Sequence, residues 1–151
     1  MIKIRLARTD ELQALSELCL RSKAVWGYDR NFLTACKDEL LLQAEDLKFS
    51  QIVIAELSAE IAGIAQVKIE SLEAHLLKMF VEPTCLKNGI GSALFDWARE
   101  TSKTKGATKL IIESDPNAAE FYRLMGARDT GLTPSGSIPG RMLPKLVYDL
   151  T

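Results

Sequence analysis

The stretch Leu76-Leu77-Lys78-Met79-Phe80-Val81, followed closely by Lys87-Asn88-Gly89-Ile90-Gly91-Ser92, decides the fold of this chain. The first segment predicts an apolar strand, and the second predicts a loop with two glycines that leads into a helix. In that order, backbone N–H groups and the positive end of a helix dipole lie beside the end of the strand. Such a place binds phosphate or pyrophosphate without needing a charged side chain.

Two familiar nucleotide-binding motifs do not fit this loop. A dinucleotide-binding fingerprint needs a third glycine three residues after the second, and that position is Leu94. A Walker loop needs Gly-Lys followed by Ser or Thr after a longer spacer, whereas Gly91 is followed directly by Ser92. The loop therefore binds a different phosphate-bearing molecule, or it is a turn relieved by glycine that has no ligand.

A second segment lies about one helix and one strand later. The segment Lys109–Glu113 is rich in β-branched residues and predicts a short strand. A helix is predicted from Asn117, because Pro116 suits the first turn and Gly126 suits the position after the last turn. This helix places three apolar residues at positions i, i+3 and i+4, facing a core: Phe121, Leu124 and Met125. Tyr122 is adjacent to that stripe and is expected at its edge.

Together the two segments resemble the coenzyme-binding motifs of the GNAT N-acetyltransferases, which bind acetyl-coenzyme A. The run Val81-x-Pro83, five residues and Gly89-Ile90-Gly91-Ser92 resembles the pyrophosphate loop of that family. The run from Asn117 to Gly126 resembles the family segment Asn-x-x-Ala-x-x-Phe-Tyr-x-x-x-Gly-Phe. Three features depart from the pattern: Leu86 stands where Gln or Arg is usual, Ala127 stands where Phe is usual, and the alanine of the second segment is one place early. Because leucine cannot contact phosphate by charge, weaker coenzyme binding is expected.

The resemblance implies a site for the co-substrate, acetyl-coenzyme A. Backbone groups of Met79, Phe80 and Val81 would bond its pantetheine arm like an added strand. Asn117 would bond the arm or its thioester end. The pyrophosphate would lie on six consecutive residues: Lys87, Asn88, Gly89, Ile90, Gly91 and Ser92.

Acyl transfer to an amine needs a neutral amine, whereas an unperturbed alkylammonium has a pKa of about 10.4. A base for the amine and an acid for the departing thiolate each help, by roughly 10²–10⁴ in rate. The resemblance makes Tyr122 the acid. His75, the only histidine, matches the position of a glutamate in many GNATs and is the candidate base; a merely solvated histidine is the alternative. Glu73 would share its face of the strand, and Glu113 and Ser114 are weaker candidates.

Two segments are expected to select the acceptor. In Trp26-Gly27-Tyr28-Asp29, two aromatic residues flank a glycine between helices. Trp26 and Tyr28 line an acceptor pocket and Asp29 holds a cation, or else the aromatic rings fill the seam between helix and sheet. The glycine- and serine-rich loop before the last strand carries Arg141, which contacts an acceptor carboxylate or covers the loop.

Composition limits the class of protein. With 151 residues the chain is expected to form a single domain, residues 1–151, and 47% apolar and 26% charged residues are ordinary for a globular protein. A formal net charge of −1 predicts no general attraction to nucleic acid or to acidic membranes. No signal peptide or membrane span is apparent. The three cysteines lack metal-ligand spacing, so we expect reduced thiols in a cytoplasmic protein without a metal site: Cys19, Cys36 and Cys85.

The pattern of apolar residues predicts the order β-α-α-β-β-β-α-β-α-β, an α/β chain with a mixed sheet. The expected strands are near 2–6, 51–56, 61–69, 75–81, 109–113 and 143–150, and the expected helices begin near Thr9, Asp29, Gly89 and Asn117. This order matches the GNAT fold, which implies a mostly antiparallel central sheet with a splayed wedge, flanked by about four helices.

The sequence thus favours an acetyl-coenzyme A-dependent N-acetyltransferase that acts by direct transfer in a ternary complex. The acceptor would be an amine of a small molecule or peptide, with no nucleic acid or membrane as partner. A non-catalytic module of the same fold, which binds coenzyme A or a protein partner, is the alternative. Transfer to a hydroxyl and a homodimer both remain open.

Overall fold

Seven strands form one sheet at the centre of the computed structural model, which describes residues 1–151. In chain order they are β1 (Ile2–Leu6), β2 (Gln51–Leu57), β3 (Glu60–Glu70), β4 (Glu73–Val81), β5 (Lys109–Glu113), β6 (Arg128–Pro134) and β7 (Met142–Asp149). Their order across the sheet is β1-β2-β3-β4-β5-β7-β6. All neighbours are antiparallel except β4 and β5, which are parallel. The predicted mixed, mostly antiparallel sheet is confirmed.

Five helices flank the sheet: α1 (Leu12–Ala24), α2 (Arg30–Leu40), α3 (Asp46–Phe49), α4 (Ile90–Thr104) and α5 (Ala119–Leu124). Alternate residues of a strand point to opposite faces, so β2 packs Ile52 and Ile54 against α1 and α2, and Val53 and Ala55 against α4. The α4 face also receives α5 and holds the larger buried cluster. No helix is long and apolar enough to cross a membrane.

The sheet is splayed between β4 and β5. These two strands pair only from Glu73 with Lys109 to Leu76 with Ile112, whereas β4 continues alone to Val81. At the same point the register of β4 with β3 skips Leu77, which makes a β-bulge that bends the strand. The splay leaves the β5-facing edge of β4 unpaired beyond Leu76, and it opens the predicted wedge.

Four local predictions need correction. Leu124, expected to face the core, is 79% exposed, whereas Tyr122, expected at the edge of that stripe, is 6% exposed, because α5 is shorter than predicted and turns Tyr122 inward. The strand β6 was not predicted, because it is an exposed edge strand with polar residues and Gly131 and lacks the alternation of apolar residues. The single-turn helix α3 was missed as well. Thr9 does not cap α1: it begins a 3-10 turn, and α1 starts at Leu12. The Glu11 carboxylate caps that 3-10 turn by accepting the Arg8 backbone N–H at 2.8 Å, and α1 itself has no side-chain cap.

Candidate active site

The loop between β4 and α4 presents a row of unpaired backbone N–H groups. From Leu86 to Ser92 no backbone N–H donates a hydrogen bond within the protein, and the Ala93 N–H is the first to do so, to the Gly89 carbonyl at 3.0 Å. Lys87 and Gly89 have φ angles of +68° and +79°, in the left-handed region. Left-handed residues of this kind occur in loops whose successive N–H groups form a concave surface that suits an anion. The 15-residue helix α4 adds the positive end of its dipole.

Packing fixes this loop on both sides. A Cβ atom at Gly63 of β3 would lie 2.9 Å from side-chain atoms of Ile90 and Leu94, so glycine is what allows the first turns of α4 to sit on the sheet. At the start of the loop, Glu82 forms a two-point ion pair with Arg21 of α1, at 2.9 and 2.7 Å. The unpaired N–H groups are therefore held in place before any ligand binds.

A cleft of about 260 Å³ fills the wedge between β4 and β5. One wall is formed by Met79, Phe80 and Val81, whose strand edge has no neighbour on the β5 side. Leu86, which is 47% exposed, lies at the end next to the loop. The cleft therefore joins the row of N–H groups to a free strand edge, and an extended amide chain can pair with that edge.

Tyr122 of α5 lines the same cleft. The residue is only 6% exposed, its ring packs against Phe95 and Phe121 with centroids 5.8 and 5.3 Å away, and its hydroxyl forms no hydrogen bond within the protein. No side-chain oxygen is both fully buried and without a partner, so this hydroxyl keeps an opening into the cleft. Burial raises the pKa of Tyr122 well above its usual value. The hydroxyl therefore stays protonated at neutral pH and is an available donor.

A cluster of polar side chains borders the cleft around Asp115, which follows β5. The Tyr28 hydroxyl donates to the Asp115 carboxylate, with O···O distances of 2.9 and 3.0 Å, and Lys23 Nζ lies 3.1 Å from Asp115. Arg141 donates to the Tyr28 oxygen at 2.7 Å, and the Asn117 side-chain amide donates to the same oxygen at 3.0 Å. We call these five residues the Asp115 cluster. It ties α1, the turn before α2, β5 and the loop before β7 to one another.

The Asp115 cluster sets two cations, Lys23 and Arg141, against one carboxylate. Burial alone would raise the pKa of Asp115. The hydrogen bond from the Asn117 backbone N–H and the nearby Lys23 ammonium together outweigh it, so the pKa of Asp115 is lower than usual. Burial and the hydrogen bond to Asp115 raise the pKa of Tyr28. The Tyr28 hydroxyl donates one hydrogen bond to Asp115 and accepts two, from Arg141 and from Asn117, so it has no capacity left for a further partner.

A sequence model of the acetyltransferase (GNAT) domain matches residues 11–134. The chain belongs to the GNAT acetyltransferase family. No curated protein sequence gives a significant match.

Solved structures of GNAT proteins share this fold at low sequence identity. The PaiA N-acetyltransferase of Thermoplasma acidophilum, in complex with coenzyme A, has 18% identity and a TM-score of 0.78, with 99% of each chain covered. The ribosomal-protein-S18-alanine N-acetyltransferase of Escherichia coli has 19% identity and a TM-score of 0.73, with 100% of this chain and 95% of that chain covered. The protein yncA of Salmonella typhimurium, with its cofactor acetyl-CoA, has 18% identity and a TM-score of 0.70, with the same coverage.

The candidate bases lie in different surroundings in this GNAT domain. His75 is half-buried on β4, opposite Ile111 of β5, and lines a second cavity that adjoins the cleft. Glu113 lines both cavities, whereas Glu73 is exposed and lines neither. Ser114 is 3% exposed, and its hydroxyl donates to the Asp115 carbonyl at 2.7 Å. The choice of base stays a prediction.

The predicted acceptor residues separate into two groups. Trp26 is 46% exposed and lines the cleft, while Tyr28 and Arg141 belong to the Asp115 cluster. Asp29 caps α2 by accepting the Phe32 N–H at 2.8 Å. Asn117 uses its side-chain N–H groups on Tyr28 and Asp115, at 3.0 and 3.1 Å, which leaves its side-chain carbonyl available to a ligand.

Two members of the Asp115 cluster were missed as site residues: Lys23 and Asp115 itself. The available signal was the carboxylate at the end of a predicted strand, just where the GNAT domain opens its wedge. Asp115-Pro116 was interpreted only as a boundary of the strand.

Proposed function

We propose that this chain is an acetyl-coenzyme A-dependent N-acetyltransferase that moves the acetyl group directly to an amine of a small molecule or peptide. The observation that carries this proposal is the continuous run of unpaired backbone N–H groups from Leu86 to Ser92 at one end of the cleft. A pyrophosphate supplies several anionic oxygens to such a run, and the helix dipole favours the same charge. Lys87 adds a cation within the run.

The free edge of β4 is matched to the rest of the coenzyme. The pantetheine arm contains two amides, and amides pair with unpaired strand edges as an added strand would. Met79, Phe80 and Val81 supply that edge. Complexes of similarly folded proteins with coenzyme A and acetyl-CoA support this assignment. Leu86 can make only apolar contacts and offers no charge to the phosphates. Backbone N–H groups must therefore supply most of the affinity for the coenzyme.

Tyr122 is then placed to assist the departing sulfur. In the reaction the amine nitrogen bonds to the acetyl carbon, the carbon–sulfur bond breaks, and the proton lost by the nitrogen is taken by a base. The sulfur leaves as a thiolate and ends as a thiol. Because burial keeps Tyr122 protonated, its hydroxyl donates a hydrogen bond to the thiolate as charge develops and supplies the proton. His75, which lines the adjoining cavity, is the base in this proposal.

Calorimetric titration with acetyl-coenzyme A tests the first half of this proposal. We expect micromolar affinity for the wild-type protein and no measurable binding for Gly89→Asp, which places a carboxylate among the N–H groups. Gly106→Asp is a matched control: Gly106 also has a left-handed φ, +93°, in open space at the other end of α4. It should bind like the wild type. Retained affinity in Gly89→Asp would refute the loop assignment.

Turnover tests the second half. A panel of amines, amino acids and peptides should release free thiol from acetyl-coenzyme A faster than the protein alone does. Normal binding with no release for any amine would instead establish the non-catalytic module, and release only with alcohols would establish transfer to a hydroxyl.

A further inference from the structure

Beyond His75 the cleft continues into a smaller cavity of about 140 Å³. The two spaces are one, because they share five lining residues: Glu39, Leu76, Leu77, Glu113 and Leu143. The smaller cavity is bounded by α2, by β4 and β5, and by the loop between β6 and β7. Its only titratable groups are Glu39, His75 and Glu113, so no lysine or arginine lines it.

The two carboxylates of this cavity are oriented but not neutralised. Glu39 of α2 accepts a hydrogen bond from the Ser137 hydroxyl, and Glu113 accepts one from the Thr133 hydroxyl at 3.0 Å. Neither glutamate forms a salt bridge. Because hydroxyl donors carry no net charge, both carboxylates remain without a neutralising partner in the protein.

Two lysines line the rest of the cleft, and neither forms a salt bridge with Glu39 or Glu113. Lys23 pairs with Asp115, and Lys78 donates to the side-chain oxygen of Gln66, which is 1% exposed, at 3.4 Å. The third carboxylate of the cleft, Asp115, is thus matched, whereas Glu39 and Glu113 are left without a cationic partner.

A buried polar group opens into the same space. Tyr122 is 6% exposed, its hydroxyl has no partner, and it lines the cleft that Glu39 and Glu113 also line. A molecule with one end near this hydroxyl and the other between the two carboxylates would satisfy both sets of groups.

We infer that the acceptor is an amine with a second positive charge, a diamine or longer polyamine whose remote ammonium lies between Glu39 and Glu113. This inference rests on the proposed function, which supplies the acetyl donor. At roughly 30 Å³ per small group, as for liquid water, 140 Å³ holds about four or five heavy atoms, the size of a short aminoalkyl chain. The remote amine stays charged at neutral pH, since alkylammonium groups titrate near pH of about 10. The amine near Tyr122 loses its proton and is acetylated.

Kinetics with a matched pair of acceptors test the inference. Diaminobutane and butylamine have the same chain and differ in the second ammonium. Because Glu39 and Glu113 are exposed, we expect kcat/KM to favour diaminobutane by about threefold to thirtyfold at low salt and by less at high salt. Glu39→Gln and Glu113→Gln should each reduce this ratio, and the double variant should remove it. Glu100→Gln, an exposed change on α4 outside the cleft, should leave it intact.

A kcat/KM ratio of one in the wild type, or a ratio that survives the double variant, would overturn the inference. The proposed function would still stand if acetyl-coenzyme A binds and thiol is released. A second measurement needs no turnover. His75 is the only histidine and lines the cavity, so its ring signals in NMR spectra report directly on binding there. Diaminobutane should shift these signals to saturation in the wild type and not in the double variant. An unaffected ring would overturn the inference even if the proposed function failed.

Discussion

Replacing Asp115 by asparagine removes the charge at the centre of the Asp115 cluster while keeping the size of the side chain. The carboxylate is 11% exposed, and the cations that face it, Lys23 and Arg141, are 14% and 19% exposed. In the variant both cations lose their counterion but keep some contact with water. Tyr28 keeps one acceptor, the amide oxygen, and loses the second.

The expected loss of stability is about 2–4 kcal/mol. Removing one partner from a fully buried ion pair costs about 3–5 kcal/mol, and a hydrogen bond to a charged group is worth about 1.5–3 kcal/mol. The upper end of the first range is reduced because the Lys23 and Arg141 side chains still reach solvent. Urea unfolding at neutral pH, followed by tryptophan fluorescence, measures the loss.

The same comparison has a defined pH dependence. A carboxyl whose pKa is lower in the folded state stabilises the protein at pH values above its unfolded pKa, and that contribution disappears as pH falls through the folded pKa. The ordinary value for Asp115 is 3.8, and the folded value is lower. The stability gap between wild type and Asp115→Asn should therefore be constant from neutral pH down to about pH 5 and shrink below that. Glu11, whose pKa is lowered to about 2 mainly by its hydrogen bond with Arg5, contributes equally to both proteins.

An exposed aspartate serves as the control. Asp129 forms a two-point ion pair with Arg123, at 2.8 and 3.0 Å, but its side chain is 49% exposed. Solvent screens that pair, so Asp129→Asn should destabilise much less. If Asp115→Asn is no more harmful than Asp129→Asn, or if the gap persists unchanged at pH 3, the cluster does not hold these elements together as described.

Three further outcomes are expected. Tyr122→Phe should lower turnover by about 10- to 1000-fold with nearly unchanged affinity for acetyl-coenzyme A, and an unchanged rate would remove Tyr122 from the mechanism. Gly63→Ala should lower the free energy of unfolding in urea by about 1–3 kcal/mol, because its Cβ would lie 2.9 Å from side chains of α4. An unchanged free energy would mean that the helix shifts freely. Burial raises the pKa of Cys19 to about 12, so mass spectrometry should find the half-buried Cys85 alkylated by iodoacetamide well before Cys19, and the reverse order would contradict the packing.

The parts of the fold that are determined by residues close together in the sequence were predictable. In β2, the apolar run Ile52–Ala55 indicated a strand, and helices cover both of its faces. The loop was predictable for the same reason: Gly89 takes a left-handed conformation that the glycine pattern indicated. Periodicity failed at β6, where polar exposed residues form a strand only because β7 offers a partner.

The Asp115 cluster depends on contacts that no local pattern encodes. Tyr28 is 87 positions from Asp115 and 113 from Arg141. Each residue taken alone has an ordinary role in a turn, a strand end or a loop. In the aromatic turn, Tyr28 stacks on Phe32, with ring centroids 3.9 Å apart, while Trp26 faces the cleft.

Under the proposed function, the cleft is electrically polarised along its length in a way that the net charge of −1 conceals. One end offers unpaired N–H groups and Lys87 to an anion, and the other offers Glu39 and Glu113 to a cation. The bulge at Leu77 lies between them and bends β4. A polyanionic donor and a cationic acceptor are then each attracted to one end and repelled from the other, so neither competes for the other's place. In the proposed direct transfer, this separation lets both substrates be bound before the amine meets the thioester.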